Sequence, residues 1–136
     1  LRLASKAQVD MVTFDGAGGG SGYSPCKMMN EWCLPTVVME SILYGILDKL
    51  AAEGMELPHV AITGGFATED QVYKALALGA DAVLIARPFV TAVYGAGADG
   101  VAAYTAQLGN ELADTMRLCG APTLDAITRD MVRVIK

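Results

Sequence analysis

The sequence has 136 residues, with 15 acidic against 10 basic side chains and a formal net charge of −5. Hydrophobic residues make up 53% of it and charged residues 18%. The acidic balance and the lack of any basic run exclude a general nucleic-acid binder, and no uninterrupted apolar run reaches the ~18 residues of a membrane-spanning helix. The apolar richness suits a parallel α/β architecture, in which strands are covered on both faces. Cys26, Cys33 and Cys119 show no metal-binding spacing. An odd number of cysteines without a visible secretory leader points to a reducing, cytoplasmic setting. The sequence opens on Leu1 rather than Met, so we expect a fragment or a processed product.

Leu1 to Gln8 read as the end of a helix, and residues 9–15 as a strand with the acidic terminus Asp15. The run Gly16-Ala17-Gly18-Gly19-Gly20-Ser21-Gly22 follows, five glycines in seven residues. Such density after a strand implies positive φ or a backbone that approaches a ligand closely, with a flexible loop as the plainer alternative. Tyr23 to Pro35 is irregular. Thr36 is placed to cap a helix to about Glu53, whose Val37, Val38, Ile42, Leu43, Ile46, Leu47 and Leu50 recur at helical spacing. Gly54 stops it.

Residues 59–63 form a short buried strand that ends in Gly64-Gly65-Phe66. Thr68 and Gln71 have capping-box spacing, and Glu69 and Asp70 complement the helix dipole. Val72, Leu76 and Ala77 supply the buried face of this helix before Gly79. Residues 81–86 echo the preceding strand. Arg87-Pro88-Phe89 opens a short helix to about Tyr94, Gly95-Ala96-Gly97 is a hinge, and Asp99 is placed to cap a helix to about Leu118. Val101, Leu108, Leu112 and Met116 of that helix face inward. Gly120-Ala121-Pro122 ends it, and Thr123 to Ile135 read as one or two short helices.

Three βα units in succession, each strand closing in a small or polar turn, suggest an anion seat. The amides of Gly64 and Gly65 have no Cβ in front of them, and a helix N-terminus near Pro88 adds positive potential. Arg87 is placed either to pair with a phosphate or to form a surface ion pair. Asp15, at the carboxyl end of its strand, is either a base or a cap for the glycine loop. His59, the only histidine, starts its strand and so lies away from that end. Met28, Met29 and Trp32 suggest a loop that packs on something apolar.

Ile62-Thr63-Gly64-Gly65-Phe66 and Lys74 to Phe89, with Ala75-Leu76-Ala77-Leu78-Gly79-Ala80-Asp81-Ala82-Val83 at its centre, resemble the last two βα units of FMN-dependent and phosphate-binding TIM barrels. That group includes glutamate synthase, type 2 isopentenyl diphosphate isomerase, the 2-hydroxy-acid oxidases and inosine monophosphate dehydrogenase. Asp15 to Pro25, with Leu34-Pro35 nine residues after that proline, look most like the FMN domain of glutamate synthase. The resemblance implies that Gly64, Gly65 and Phe66, with Ala86 and Arg87, hold the FMN phosphate. It places Gly18, Gly19, Gly20 and Ser21 near the flavin ring or substrate. The glutamate synthase lysine between the Ser-Pro and the Leu-Pro falls here at Asn30, with Lys27 the nearby lysine. Its cysteine triplet is reduced to Cys119, so no iron–sulfur cluster is expected from this chain.

The expected fold is α/β. Residues 1–136 make one partial domain, the last three strands (near 9–15, 59–63 and 81–86) of a (β/α)₈ barrel, with C-terminal helices over 99–135. Eight strands take ~250 residues. The chain is therefore expected to meet the missing N-terminal half of the barrel or to self-associate. The expected function is that of an FMN-dependent oxidoreductase of the glutamate synthase-like family, acting on a small-molecule substrate. A flavin-dependent isomerase resembling the type 2 isopentenyl diphosphate enzyme and a non-catalytic phosphate-binding half-barrel are the alternatives. Asp15 and Lys27 are the catalytic candidates.

Overall fold

The computed structural model describes residues 1–21 and 23–133. Helix α1 (Arg2–Lys6) leads into strand β1 (Met11–Asp15), followed by helices α2 (Cys26–Glu31) and α3 (Thr36–Ala52). Then come β2 (His59–Thr63), α4 (Glu69–Ala77), β3 (Ala82–Val83) and the long helical run α5 (Arg87–Cys119). Two 3₁₀ turns, Leu124–Ala126 and Arg129–Met131, close the described chain. Residues 134 and 135 of the expected C-terminal helices lie outside the described residues, as does Gly22 of the glycine run.

The strands form one parallel sheet in the order β1-β2-β3. Met11 stands opposite His59 and Asp15 opposite Thr63, so β1 and β2 finish level and their two glycine turns open on the same edge. A parallel barrel places its chemistry at this carboxyl edge. At the other end, Asp81 Oδ2 accepts from the Val60 amide at 2.7 Å, and His59 Nδ1 lies 3.1 Å from Asp81 Oδ1. His59 therefore helps tie the entries of β2 and β3, far from the glycine turns.

The third strand is shorter than the expected 81–86. Its ladder pairs only Ala82 and Val83 with β2, continued by one bond from the Leu84 amide to the Ile62 carbonyl. Among the described residues β3 has a neighbour on one side only, and the chain turns at Ala86 to enter α5. The first strand likewise starts at Met11 rather than residue 9. Within α5 the backbone leaves helical geometry at Ala96 (φ −154°) and Gly97 (φ +56°), where the sequence signals a hinge. Asp99 sits inside the helical run rather than capping it.

Leu43, Val60, Ile62, Phe66, Ala75 and Ala80 form the core, with Phe14, Met39, Leu47, Val83 and Ile85 packed at its margin. Helix α3 departs from its expected burial. Leu43 and Leu50 are buried, but Val37, Val38, Ile42 and Ile46 are exposed. Its apolar stripe is wider than the contact offered by β2 and α4. On α4, Tyr73 is buried rather than Val72 or Leu76, which are half-buried, and its hydroxyl lies 2.9 Å from Met131 Sδ. Among the described residues no helix is long and apolar enough to cross a membrane.

Candidate functional site

The turn after β2 is forced by packing. Gly64 and Gly65 have φ of +122° and +83°, which L side chains adopt only under strain. A Cβ on Gly64 would meet Thr36 Oγ1 at 2.7 Å and the Gly16 amide nitrogen at 2.8 Å. Thr36 does not cap α3 with its side chain; its hydroxyl donates instead to the Gly64 carbonyl at 2.6 Å. The Phe66 side chain, 7% exposed, enters the core and pins the turn from the other side. The amides of Gly64, Gly65 and Phe66 donate to no group of the chain among the described residues. Three successive donors without acceptors at the carboxyl edge of a sheet form an anion-binding concavity.

The turn after β1 is built in the opposite way. The Gly16 amide donates to Thr63 O at 2.9 Å, Ala17 to Leu34 O at 2.6 Å, Gly18 to Met29 O at 3.5 Å and Gly19 to Gly16 O at 2.9 Å. The Gly20 amide donates to Asp15 Oδ2 at 2.8 Å and the Ser21 amide to Ser24 Oγ at 3.1 Å. A Cβ on Gly19 would overlap the Asp15 carboxylate. Asp15 therefore acts as the cap of its own loop, one of the two roles its position suggests.

The two turns are opposite walls of one cleft of about 650 Å³. Gly18, Gly19, Gly20, Ser21, Gly64, Gly65, Phe66, Ala86 and Arg87 all line it, together with Asp15 and Met29. Arg87 spans the walls: one guanidinium nitrogen donates to Gly18 O at 2.8 Å. Among the described residues it pairs with no carboxylate, so the surface ion pair is not formed, and Arg87 itself lines the cleft. The N-terminus of α5, with Pro88 in its first turn, opens onto the same space. Lys27 and Asn30 are elsewhere. They line a separate open depression with Cys26, Glu31 and Trp32, so the α2 lysine is not brought to the glycine turns.

Two contributions escape the sequence patterns. Tyr104, from the second half of α5, donates to Ala67 O at 2.8 Å, and its ring packs edge-on against Phe89 with centroids 4.9 Å apart. The break at Gly97 returns the helix onto the segment that follows the Gly64-Gly65 turn. Glu40 is the second. It is 4% exposed and faces a cavity of about 150 Å³ behind Gly64 and Gly65. Its place on the stripe Thr36, Glu40, Leu43, Leu47, Leu50 is the signal that marks it.

The donor set fits a phosphate-bearing flavin. Unpaired glycine amides, a helix N-terminus and a guanidinium are groups that would complement a doubly charged phosphate, and glycines 18–20 line the same cleft without side chains. Among the described residues no cluster of His, Cys, Asp or Glu is arranged to hold a metal ion.

The sequence model of the FMN-dependent dehydrogenases matches residues 41–134. A peroxisomal (S)-2-hydroxyacid oxidase of Arabidopsis thaliana is 35% identical over 131 residues, covering 96% of this chain and 32% of that protein. An archaeal glutamate synthase [NADPH] of Archaeoglobus fulgidus is 34% identical over 89 residues, 65% of this chain and 17% of that protein. Among solved structures, a mandelate oxidase variant with a monooxide FMN adduct superposes with a TM-score of 0.68 at 30% identity, over 94% of this chain and 36% of that one. The chain thus spans about a third of the oxidases it resembles. The three-stranded sheet is part of a TIM barrel.

Proposed function

This chain belongs to the FMN-dependent dehydrogenase family, and we propose that it forms the phosphate-binding part of an FMN-dependent oxidoreductase that oxidises a small 2-hydroxy acid. The observation that carries the proposal is the set of unpaired amides at Gly64, Gly65 and Phe66 facing Arg87 across one cleft. Similarity to 2-hydroxyacid oxidases over nearly the whole chain supports the choice of substrate class.

The bound flavin would accept a hydride from the substrate carbon that bears the hydroxyl. This chain's residues fix it in place. The seat amides hold phosphate oxygens, the α5 N-terminus lends positive potential, and Arg87 joins that seat to the Gly18 loop. That loop, closed on itself by Asp15, gives the ring a wall without side chains. Asp15 is the one carboxylate on the cleft wall among the described residues, and there it serves as the cap that holds the Gly20 amide.

A second reading is a glutamate synthase-like reaction, favoured by the Gly16 to Pro25 loop and by the archaeal relative. The remaining strands of the barrel come from the rest of the protein or from a second copy, since β1 and β3 each have one sheet neighbour among the described residues. Three unpaired cysteines suit a reducing compartment, the cytoplasm in the simplest case.

The test is purification of the protein followed by flavin spectroscopy and anaerobic reduction. Bleaching of the flavin bands by glycolate, lactate or mandelate supports the first proposal. Turnover with 2-oxoglutarate and ammonia supports the second. Isomerisation of isopentenyl diphosphate without net flavin reduction makes it an isomerase, and absence of flavin leaves a non-catalytic half-barrel.

A further inference from the structure

Glu40 has no place in the cleft chemistry described above, yet it is a buried carboxyl with an unpartnered oxygen. It stands one helical turn after Thr36, whose hydroxyl holds the Gly64 carbonyl. The two residues line a cavity of about 150 Å³ with Val37, Gly64, Gly65, Phe66, Gln71 and Lys74. Glu40 Oε1 is buried and has no hydrogen-bond partner. Native proteins seldom leave a buried carboxyl oxygen unpartnered. The same two glycines line both this cavity and the cleft, and their amides have no acceptor among the described residues.

We propose that Glu40 is a proton-linked positioning residue of the anion seat: it must carry a proton for a phosphate to bind well at Gly64 and Gly65, so binding takes up a proton. This rests on the cleft being a flavin-phosphate site. The physical basis is charge. A carboxylate on one side of the glycine turn and a phosphate dianion on the other repel each other through little more than backbone, with little water to screen them. A neutral carboxylic acid does not oppose the phosphate, and its O–H can donate toward the turn.

The other charged groups do not cancel this. Lys74 lines the cavity from α4, but its Nζ is engaged by Asp70 at 2.5 Å. Gln71, also from α4, is neutral and is used by the Ala67 and Thr68 amides at 2.8 and 3.3 Å. The β2 segment contributes no titratable side chain to this cavity, since His59 lies at the far end of its strand. Asp15 and Arg87 belong to the front cleft. Burial alone raises the Glu40 carboxyl to about 7, which places the proton exchange in the physiological range.

The test is binding of FMN to the wild-type protein and to Glu40→Gln between pH 6 and pH 8.5, followed by fluorescence quenching, with riboflavin as the phosphate-free control. At pH 6 the two proteins are expected to bind FMN alike. At pH 8.5 the wild type is expected to bind on the order of tenfold more weakly than the variant, as like charges within about 10 Å at moderate dielectric dictate. Riboflavin should show no such divergence. A wild-type to variant ratio that stays constant with pH, or one that diverges equally with riboflavin, overturns the coupling.

Calorimetry of the wild type alone tests the same point without the variant. At pH 8 a phosphate monoester, with its second pKa near ~6, has already lost its protons. Net proton uptake on FMN binding, seen in buffers of different ionisation enthalpy, is then the expected result, and no uptake contradicts the proposal. Failure of the wild type to bind FMN at any pH removes the functional proposal and the coupling with it. FMN binding without pH divergence removes the coupling alone.

Discussion

The two glycine turns at the carboxyl edge of the sheet are alike in composition and opposite in wiring. The turn after β1 spends its amides within the chain, on Thr63, Leu34, Met29, Gly16, Asp15 and Ser24. The turn after β2 is anchored through its carbonyl and its Phe66 side chain and keeps its amides unpaired. Glycine density alone therefore does not mark a ligand seat. What distinguishes the turns is where the N–H groups go: the sparser glycine pair keeps its donors open to a ligand, while the richer run uses its own within the chain.

Breaking the point where the turns touch should have the largest effect. Gly64→Ala forces a side chain to a φ of +122° against Thr36 and Gly16, and both turns move together. We expect a loss of about 4 kcal/mol or outright failure to fold, read by urea denaturation. Next comes Glu40, which acts only behind the β2 turn. Its carboxyl sits near 7 in the folded state against an ordinary 4.5. The folded state keeps a proton that the unfolded chain has released. The contribution of Glu40 to stability is therefore full below pH 4.5, falls as pH rises toward about 7, and is lost above that. Glu40→Gln should be close to neutral at pH 4.5 and stabilise by up to about 3 kcal/mol at pH 8.5.

Arg87 is the link between the turns through Gly18. Arg87→Ala should lower FMN affinity by about tenfold to a hundredfold, the range of charge-assisted hydrogen bonds to phosphate, with a smaller effect on riboflavin. The smallest effect is expected from Asp15→Asn, which weakens only the cap on Gly20. A loss of about 1 kcal/mol in stability with FMN affinity nearly unchanged would keep the first turn in its role as a wall.

The sequence shows the frame of the fold clearly where local chemistry punctuates it. Pro58 and Gly64 bound β2, the Thr68–Gln71 box starts α4, and Gly97 breaks α5 where three small residues stand together. The carboxyl-edge cleft is foreseeable too, because every strand runs the same way and closes in small residues. Tertiary context hides the rest. Nothing in Val37, Val38, Ile42 and Ile46 tells that they lack a partner among the described residues. Glu40 reads as an ordinary surface carboxylate until its phase on the Leu43–Leu50 stripe is noticed. The division of labour between the two turns depends on acceptors such as Leu34 and Met29, which no motif ties to them. Lys27 shows the converse: motif counting brings it near the site, and α2 presents it to a separate depression while Met29 of the same helix lines the cleft.

The central claim is that Gly64, Gly65 and Phe66 bind the phosphate of the flavin. Comparing the affinities of FMN and riboflavin for the wild-type protein at pH 6, by fluorescence quenching, tests it most directly. Two or more charge-assisted bonds predict that FMN binds at least ~100-fold more tightly; equal affinities for the two flavins would contradict it.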